Sequence, residues 1–539
     1  MLFESFGGLD IFCPRPHIEF EIRLASEAHL RTKFNVGKYT SKDEINAIVQ
    51  HQFKFYEKLL EELLPLVASL DFLEVVLHEY EIASQIMELH KQGKLRSAEA
   101  KRWEQIGLIF RRAAKYLAER ILLFQPNKSP KAGKNLLLPI AEKVWICVEE
   151  MVEAYVVSDQ TYLIFPEETV LKIFPHGEEK VYHQGLLREL PDMSRIRFDT
   201  QHRHKFIPEP SFIFDIEEHN KIIGNAVRES IGVTYFDAIK ILGTIIDGCI
   251  PAPDGFQIPF VVKGELIEKT SQLLGFSSDA VEKVISGFSV SKKQMDSEGR
   301  KVWKPKQEYR AYRRAFFECS HPAGQHVTFS KSMAEECLIF LVKDVIFKKL
   351  PKEWLNSSVN TALSHLSNEA GKWFEAIVES NIRACGFDGV KSTKAIGNKE
   401  KRVRIPSDIG EIDYIGYSQK EKILLVAECK LVRDSFEPKF FQDDISEFIT
   451  AKKSYIKKFR KKVNWVKENI NSISQALEST NGFKESIAPE KVVGVIITYI
   501  PTFASYFIED YPCVSLTEFM LDYGVSNKYS YENGVSYIN

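Results

Sequence analysis

Two acids and a lysine stand out because of where they sit. The run Ile423-Leu424-Leu425-Val426-Ala427-Glu428-Cys429-Lys430 is apolar until its end, where Glu428 and Lys430 appear. Before it come Gly410-Glu411-Ile412-Asp413-Tyr414-Ile415-Gly416 and the polar turn Ser418-Gln419-Lys420-Glu421. Apolar runs joined by such a turn predict a hairpin with strands over 411–417 and 423–430. Side chains alternate along a strand, so Glu428 and Lys430 share a face, and the hairpin can bring Asp413 beside Glu428. Two carboxylates and an ammonium then meet at the end of a buried sheet, which costs free energy unless a cation or specific pairing compensates. Mg2+ suits that role, with Mn2+ as a substitute, because it is a hard cation held by one or two carboxylates plus water and phosphate oxygens. Lys430 would stand beside a metal-bound water or a substrate phosphate, orienting the nucleophile and neutralising developing charge. Taken alone, a Glu-x-Lys at a strand end is an ordinary salt-bridging pair of little energetic weight. The apolar approach to Glu428 and the nearby Asp413 are what argue for chemistry. Glu411 shares a face with Asp413 and could replace or assist it, but Asp413 lies deeper in the strand.

The elements around this hairpin read as an α/β module of about 160 residues. A helix covers about 368–385 and stops at Gly386, a long helical region spans about 438–477, and apolar strands cover 492–499 and surround Val514. On the first helix Gly371, Phe374, Ile377, Val378 and Ile382 cluster on one face, and Glu375 falls at its margin. From there Glu375 could reach the sheet end and complete a metal shell; its plain alternative is the polar flank of an amphipathic helix.

The hairpin resembles the active-site hairpin of the PD-(D/E)XK nuclease superfamily, also called restriction-endonuclease-like. Asp413 looks like that motif's lone acid and Glu428-Cys429-Lys430 like its (D/E)-x-K element, while Gly371-Lys372-Trp373-Phe374-Glu375 matches the Gly-x-x-x-Glu often found on the preceding helix. The order helix, hairpin, helix, strand is similar to the family core, and the resemblance covers about Leu363 to Phe519. One departure is Ile412, which stands where the family often has proline. The resemblance implies a central mixed sheet flanked by helices, metal-dependent phosphodiester hydrolysis with Asp413, Glu428 and Glu375 as ligands and Lys430 as catalytic partner, and DNA as substrate in preference to RNA. The family often places a polar residue on the helix after the hairpin, which points to Gln442 as an accessory.

That same helical region carries Lys452, Lys453, Lys457, Lys458, Arg460, Lys461 and Lys462, with Tyr455 and Phe459 interleaved. From Lys391 to Lys462 eighteen Lys/Arg stand against eleven Asp/Glu, although the whole chain of 539 residues has a formal net charge of −2. A local excess of this kind suits a nucleic-acid backbone, while an individual lysine reads equally well as part of a solvated helix face.

The remaining chain bounds the answer. Its 44% hydrophobic and 27% charged residues describe an ordinary globular composition, which excludes a wholly basic nucleic-acid coat. No run of eighteen apolar residues and no signal-peptide layout is visible, so no membrane span and a cytoplasmic location are expected. Eight scattered cysteines without a CxxC predict reduced thiols. Neither a GxxxxGK[ST] loop nor a Gly-x-Ser-x-Gly elbow occurs, and Cys319, His321, His326 and Cys337 lack regular zinc spacing. Helical periodicity covers about 43–64, 72–89, 98–124, 138–157 and 220–247, with a hairpin read at 161–174. A basic stretch runs from Ser291 to Arg314, Ser332 and Glu335 suggest a capping box, and Pro351 ends the helix that follows.

The expected architecture is multidomain α and α/β. It comprises a mainly helical domain over 1–220, a helical and basic connecting domain over 221–355, and a restriction-endonuclease-like α/β domain over 356–539. The function read from this is a metal-dependent endonuclease acting in defence against foreign DNA or in repair. The helical region would select substrate, protein partner or trigger, or carry a homo-oligomer contact. Rival readings are an inactive nuclease-fold binder of nucleic acid, an RNase effector, and a scaffold.

Overall fold

Amphipathic spacing produces four long helices in the N-terminal half: Lys42–Val67, Leu70–Lys91, Ser97–Leu123 and Lys134–Asp159. They belong to a computed structural model that describes residues 2–124, 134–164, 167–176, 181–186, 194–248, 258–296, 301–304, 307–433, 438–481 and 486–538. The chain gathers into two compact units, Met1–Glu189 with Ile216–Ala362 and Leu190–Asp215 with Leu363–Asn539. This differs from the three expected domains. Segments 1–220 and 221–355 are not separate bodies, and Leu190–Asp215 joins the C-terminal unit.

In the larger unit Lys42–Val67 packs against Lys134–Asp159, and Leu70–Lys91 against Ser97–Leu123. Leu60, Leu64, Leu73, Val76, Leu117 and Ile121 are buried between them. Three local readings change. Residues Gln160–Ile164 continue the preceding helix as a π turn, with the Thr161 hydroxyl donating to the Val157 carbonyl at 2.8 Å. The strand Thr169–Ile173 pairs instead with Gly37–Tyr39 and Tyr182–Leu186. The periodicity over 220–247 divides at Gly232, whose φ of +89° suits glycine, into Ile216–Ile231 and Tyr235–Asp247. The helix Lys331–Asp344 is capped by Ser330, not Ser332, and ends before Leu350. Buried Glu81 explains the shift. It accepts from the Ser330 hydroxyl at 2.5 Å and from the Ser332 amide at 2.9 Å and hydroxyl at 2.6 Å. Within the basic stretch Arg310 and Arg314 are buried, paired with Glu119 and with Glu308 and Glu353. Part of that charge is therefore internal.

The smaller unit holds a mixed six-stranded sheet. Its order is Asp388–Thr393, Ile412–Ser418, Ile423–Lys430, Lys491–Thr498 and Cys513–Ser515, with Val535–Tyr537 also pairing with Lys491–Thr498. The first three strands are antiparallel, while Ile423–Lys430, Lys491–Thr498 and Cys513–Ser515 are parallel. Strands buried on both faces explain the unbroken apolar run over 423–427. Helix Ser357–Ala384 buries Leu363, Leu366, Ala370, Phe374, Val378 and Ile382 at three- and four-residue spacing. The expected single helical region over 438–477 is three helices, Pro438–Ile445, Tyr455–Glu468 and Ile470–Asn481. A π turn at Ser446–Thr450 and an extended Ala451 separate the first two.

The seven described cysteines are all free, and among the described residues no helix is long and apolar enough to cross a membrane.

Two glycines test this packing. A Cβ on Gly389 would lie 1.9 Å from the Ile415 carbonyl oxygen across the strand pair, whereas one on Gly371 would meet nothing within 4 Å. Gly389→Ala should destabilise the unit by about 2–3 kcal/mol through overpacking. Gly371→Ala should stabilise its helix by roughly 0.5–1 kcal/mol. Thermal melts of the two variants beside the parent check both signs.

Candidate active site at the end of the mixed sheet

The hairpin register sets Tyr414 opposite Ala427, which carries Asp413 across from Glu428. Asp413 is fixed there because its Oδ2 accepts from the Cys429 amide at 2.8 Å. Glu428 and Lys430 share a face as the strand period requires, and the Lys430 Nζ lies 2.8 Å from Glu428 Oε1 and 3.6 Å from Asp413 Oδ2. Lys430 also donates to the Cys429 carbonyl at 3.0 Å, and its ammonium stands 5.2 Å from the centre of the Tyr455 ring.

A fourth charge completes the group. Lys462 Nζ lies 2.5 Å from Glu428 Oε2 and 3.6 Å from Asp413 Oδ1. Asp413, Glu428 and Lys462 are 8%, 4% and 7% exposed, so two carboxylates and one ammonium are held out of water, with the half-buried Lys430 completing the cluster. The expected nucleic-acid face included Lys462, and here the structure corrects the reading. Lys462 comes three residues after Phe459 and four before Val466, on the stripe by which Tyr455–Glu468 also buries Ile456 and Val463. A lysine on an apolar stripe is the signal that would have singled it out. Lys452, Lys453, Lys457, Lys458, Arg460 and Lys461 are exposed as expected, although Arg460 is ion-paired with Asp510.

The two acids respond differently to this setting. Burial and then the negative charge of Glu428 push the Asp413 carboxyl above its ordinary value. Burial opposes ionisation of Glu428 as well, but the ammoniums of Lys430 and Lys462 outweigh it and hold that carboxyl below its ordinary value. The same carboxylates raise Lys430 against the effect of its own burial.

The accessory residues come from elements around the hairpin. Phe374 takes the inward position on its helix, 6.0 Å from Tyr499 ring to ring, so Glu375, one residue on and about 100° around the axis, is a half-buried flank. It is close enough for its charge to raise the buried Cys429 thiol, after burial and Asp413. Among the described residues no three His, Cys, Asp or Glu side chains form a metal cage, so the three-carboxylate set with Glu375 is not assembled. Glu411 precedes the strand and faces Lys394 at 4.0 Å. Gln442 is half-buried on the Pro438–Ile445 helix, outside the ion-pair set.

No family model, curated protein or solved structure matches the chain. What the group can do therefore follows from its own chemistry. Asp413 Oδ1 and Glu428 Oε2 converge on one ammonium, and the Cys429 carbonyl faces a second. Carboxylate and carbonyl oxygens already turned toward positive charge suit a hard divalent cation with water completing its shell.

The opposed shifts give a pH prediction. For Glu428, with its folded value lowered, the stability is present above the unfolded value and is lost as pH falls below about 4.3. For Asp413, with its folded value raised, the contribution is present below about 3.9 and is lost as pH rises through the folded value. At pH 7 without metal, Glu428→Gln should therefore destabilise by about 3 kcal/mol by leaving the buried Lys462 and the half-buried Lys430 ammoniums underpaired. Asp413→Asn should leave the melting temperature unchanged or raise it. Melting curves from pH 3 to 8 on both variants check the two signs.

Proposed function

We propose that the C-terminal unit is a metal-dependent nuclease that hydrolyses phosphodiester bonds, with DNA as its substrate. One observation carries this reading. Buried Asp413 and Glu428 meet half-buried Lys430 at the end of the sheet, on a hairpin with the residue order of the PD-(D/E)XK motif. The mixed antiparallel and parallel sheet agrees with a restriction-endonuclease-like fold, and the exposed lysines of the adjoining helix suit a phosphate backbone.

In this mechanism Asp413 and Glu428 hold the cation. When bound, Mg2+ supplies a water of lowered pKa and positive charge at the developing oxyanion. Lys430 is pre-oriented by the Cys429 carbonyl and Glu428, so its ammonium can meet a phosphate oxygen without reorganising. The Tyr455 ring forms an apolar wall on the Lys430 side. Lys452, Lys453, Lys457, Lys458 and Lys461 hold the backbone and carry no sequence information. We assign selection of substrate, partner or trigger to the larger, helical unit; a role in defence against foreign DNA or in repair rests on the family resemblance alone.

The test uses circular single- and double-stranded DNA and RNA with and without Mg2+. Mg2+-dependent opening of circular DNA is expected, and Lys430→Ala should slow it roughly 10²–10³-fold. Binding without cleavage of any substrate would favour the rival in which the four charges are a structural lock in an inactive fold.

The exposed patch gives a separate prediction. Neutralising Lys457, Lys458 and Lys461 together should weaken binding to all sequences alike. It should also reduce the log–log salt slope by about 0.9 for each phosphate that these lysines no longer neutralise. Titrations at four salt concentrations measure the slope.

A further inference from the structure

We propose that Lys462 is an exchangeable counter-ion. In the free protein it occupies the bridging position between Asp413 and Glu428, and it yields that position to a divalent cation when a phosphodiester is present to receive its charge. This rests on the nuclease reading above and adds how the site is regulated: metal and nucleic acid bind cooperatively.

The argument begins with charge. Asp413 and Glu428 together carry −2, and Lys430 and Lys462 together carry +2, so the cluster is neutral as it stands. A divalent cation added to four fixed partners leaves +2 buried, which the low dielectric of the site strongly opposes. Moving one ammonium out relieves part of that excess, and a nucleic-acid phosphate beside the displaced ammonium relieves the rest.

Geometry says which lysine moves. Lys430 is on the same strand as Glu428, pairs with Glu428 and Asp413, donates to the Cys429 carbonyl and lies over Tyr455, so it is tied to four groups. Lys462 comes from a separate helix, and the described polar contacts of its ammonium are to the two carboxylates alone. It faces one oxygen from each acid, Asp413 Oδ1 and Glu428 Oε2, while Oδ2 of Asp413 is taken by the Cys429 amide. Lys430 bridges the other two oxygens, Glu428 Oε1 and Asp413 Oδ2, but Oδ2 already accepts from the Cys429 amide, so the Lys462 position is the bridging point better suited to a cation shared by both acids. The four-carbon stem allows the ammonium to swing away while the helix stays packed through Phe459, Val463 and Val466. The helix that supplies Lys462 also presents Lys457, Lys458 and Lys461 to solvent, so a phosphate backbone lying along it comes near the released ammonium.

Mn2+ binding to the full chain tests the proposal, read by electron paramagnetic resonance of the free ion. It is measured with and without a fully phosphorothioate-linked DNA duplex, checked intact on a gel afterwards. The parent should bind Mn2+ about tenfold more tightly with the duplex present, within the usual range of coupling between sites. Lys462→Met, which keeps the stem without the charge, should bind it about tenfold more tightly than the parent without duplex and gain less when duplex is added. Asp413→Asn identifies the site by losing it. If Lys462→Met binds no more tightly than the parent at an Asp413-dependent site, the exchange is wrong while the nuclease reading stands. If no variant has an Asp413-dependent Mn2+ site, the metal reading falls and the exchange falls with it. Should Lys462→Met fail to fold, equal parent affinities with and without duplex overturn the proposal unaided.

Discussion

A carboxylate at the end of a buried sheet must be neutralised, and Glu428 is neutralised twice. Lys430 reaches it from two residues along the same strand and Lys462 from a helix packed over the sheet. The hairpin register and the placement of Tyr455–Glu468 bring those partners together. The arrangement also resolves a conflict left by the sequence. Two clustered acids without a cation between them are expected to repel each other, but here each of two ammoniums faces both acids, and Asp413 is raised by burial first and by the charge of Glu428 second.

Buried charge elsewhere in the chain shows what a purely structural solution looks like. In the larger unit Glu119 accepts from Arg310 Nε at 2.9 Å and from the Ala311 amide at 2.7 Å, while Arg310 also donates to the Lys301 and Lys304 carbonyls. Glu81 closes three hydrogen bonds at the start of one helix. Asp413 is held more loosely, with one short bond from the Cys429 amide and two ammoniums at 3.6 Å. Glu119 leaves its own Oε2 without a hydrogen bond, so the contrast lies in the partners: Glu81 and Glu119 meet hydroxyl, amide and guanidinium donors at hydrogen-bond distance, whereas Asp413 faces two flexible lysine ammoniums at 3.6 Å.

The hairpin and its polar end were legible because period-two alternation and an apolar approach are local properties: the strand 423–430 falls where the sequence puts it. Asp413 could be paired with Glu428 for the same reason, since a short turn limits the register. Lys462 was not legible as a member of the site. Counted among seven basic residues, it reads as one more surface charge, and only the packing of its helix shows that it points inward with Phe459 and Val466. The break at Ala451 and the return of Leu190–Asp215 to the C-terminal unit are likewise tertiary facts. Glu375 is the converse case, a motif match that helical rotation leaves on the flank while Phe374 takes the core position.

The division of labour on the Tyr455–Glu468 helix connects binding to chemistry under the proposed function. Its outer lysines are screened by salt and solvent, so each contributes weakly and interchangeably to holding a backbone. Its inner lysine lies in low dielectric, where the same charge interacts several times more strongly and cannot be added or removed without a compensating change. Placing both on one rigid element means that phosphates drawn to the outer face also alter the potential felt by Lys462. Substrate binding and the charge state of the acid pair are then linked through one helix, and no conformational change in the sheet is needed to couple them.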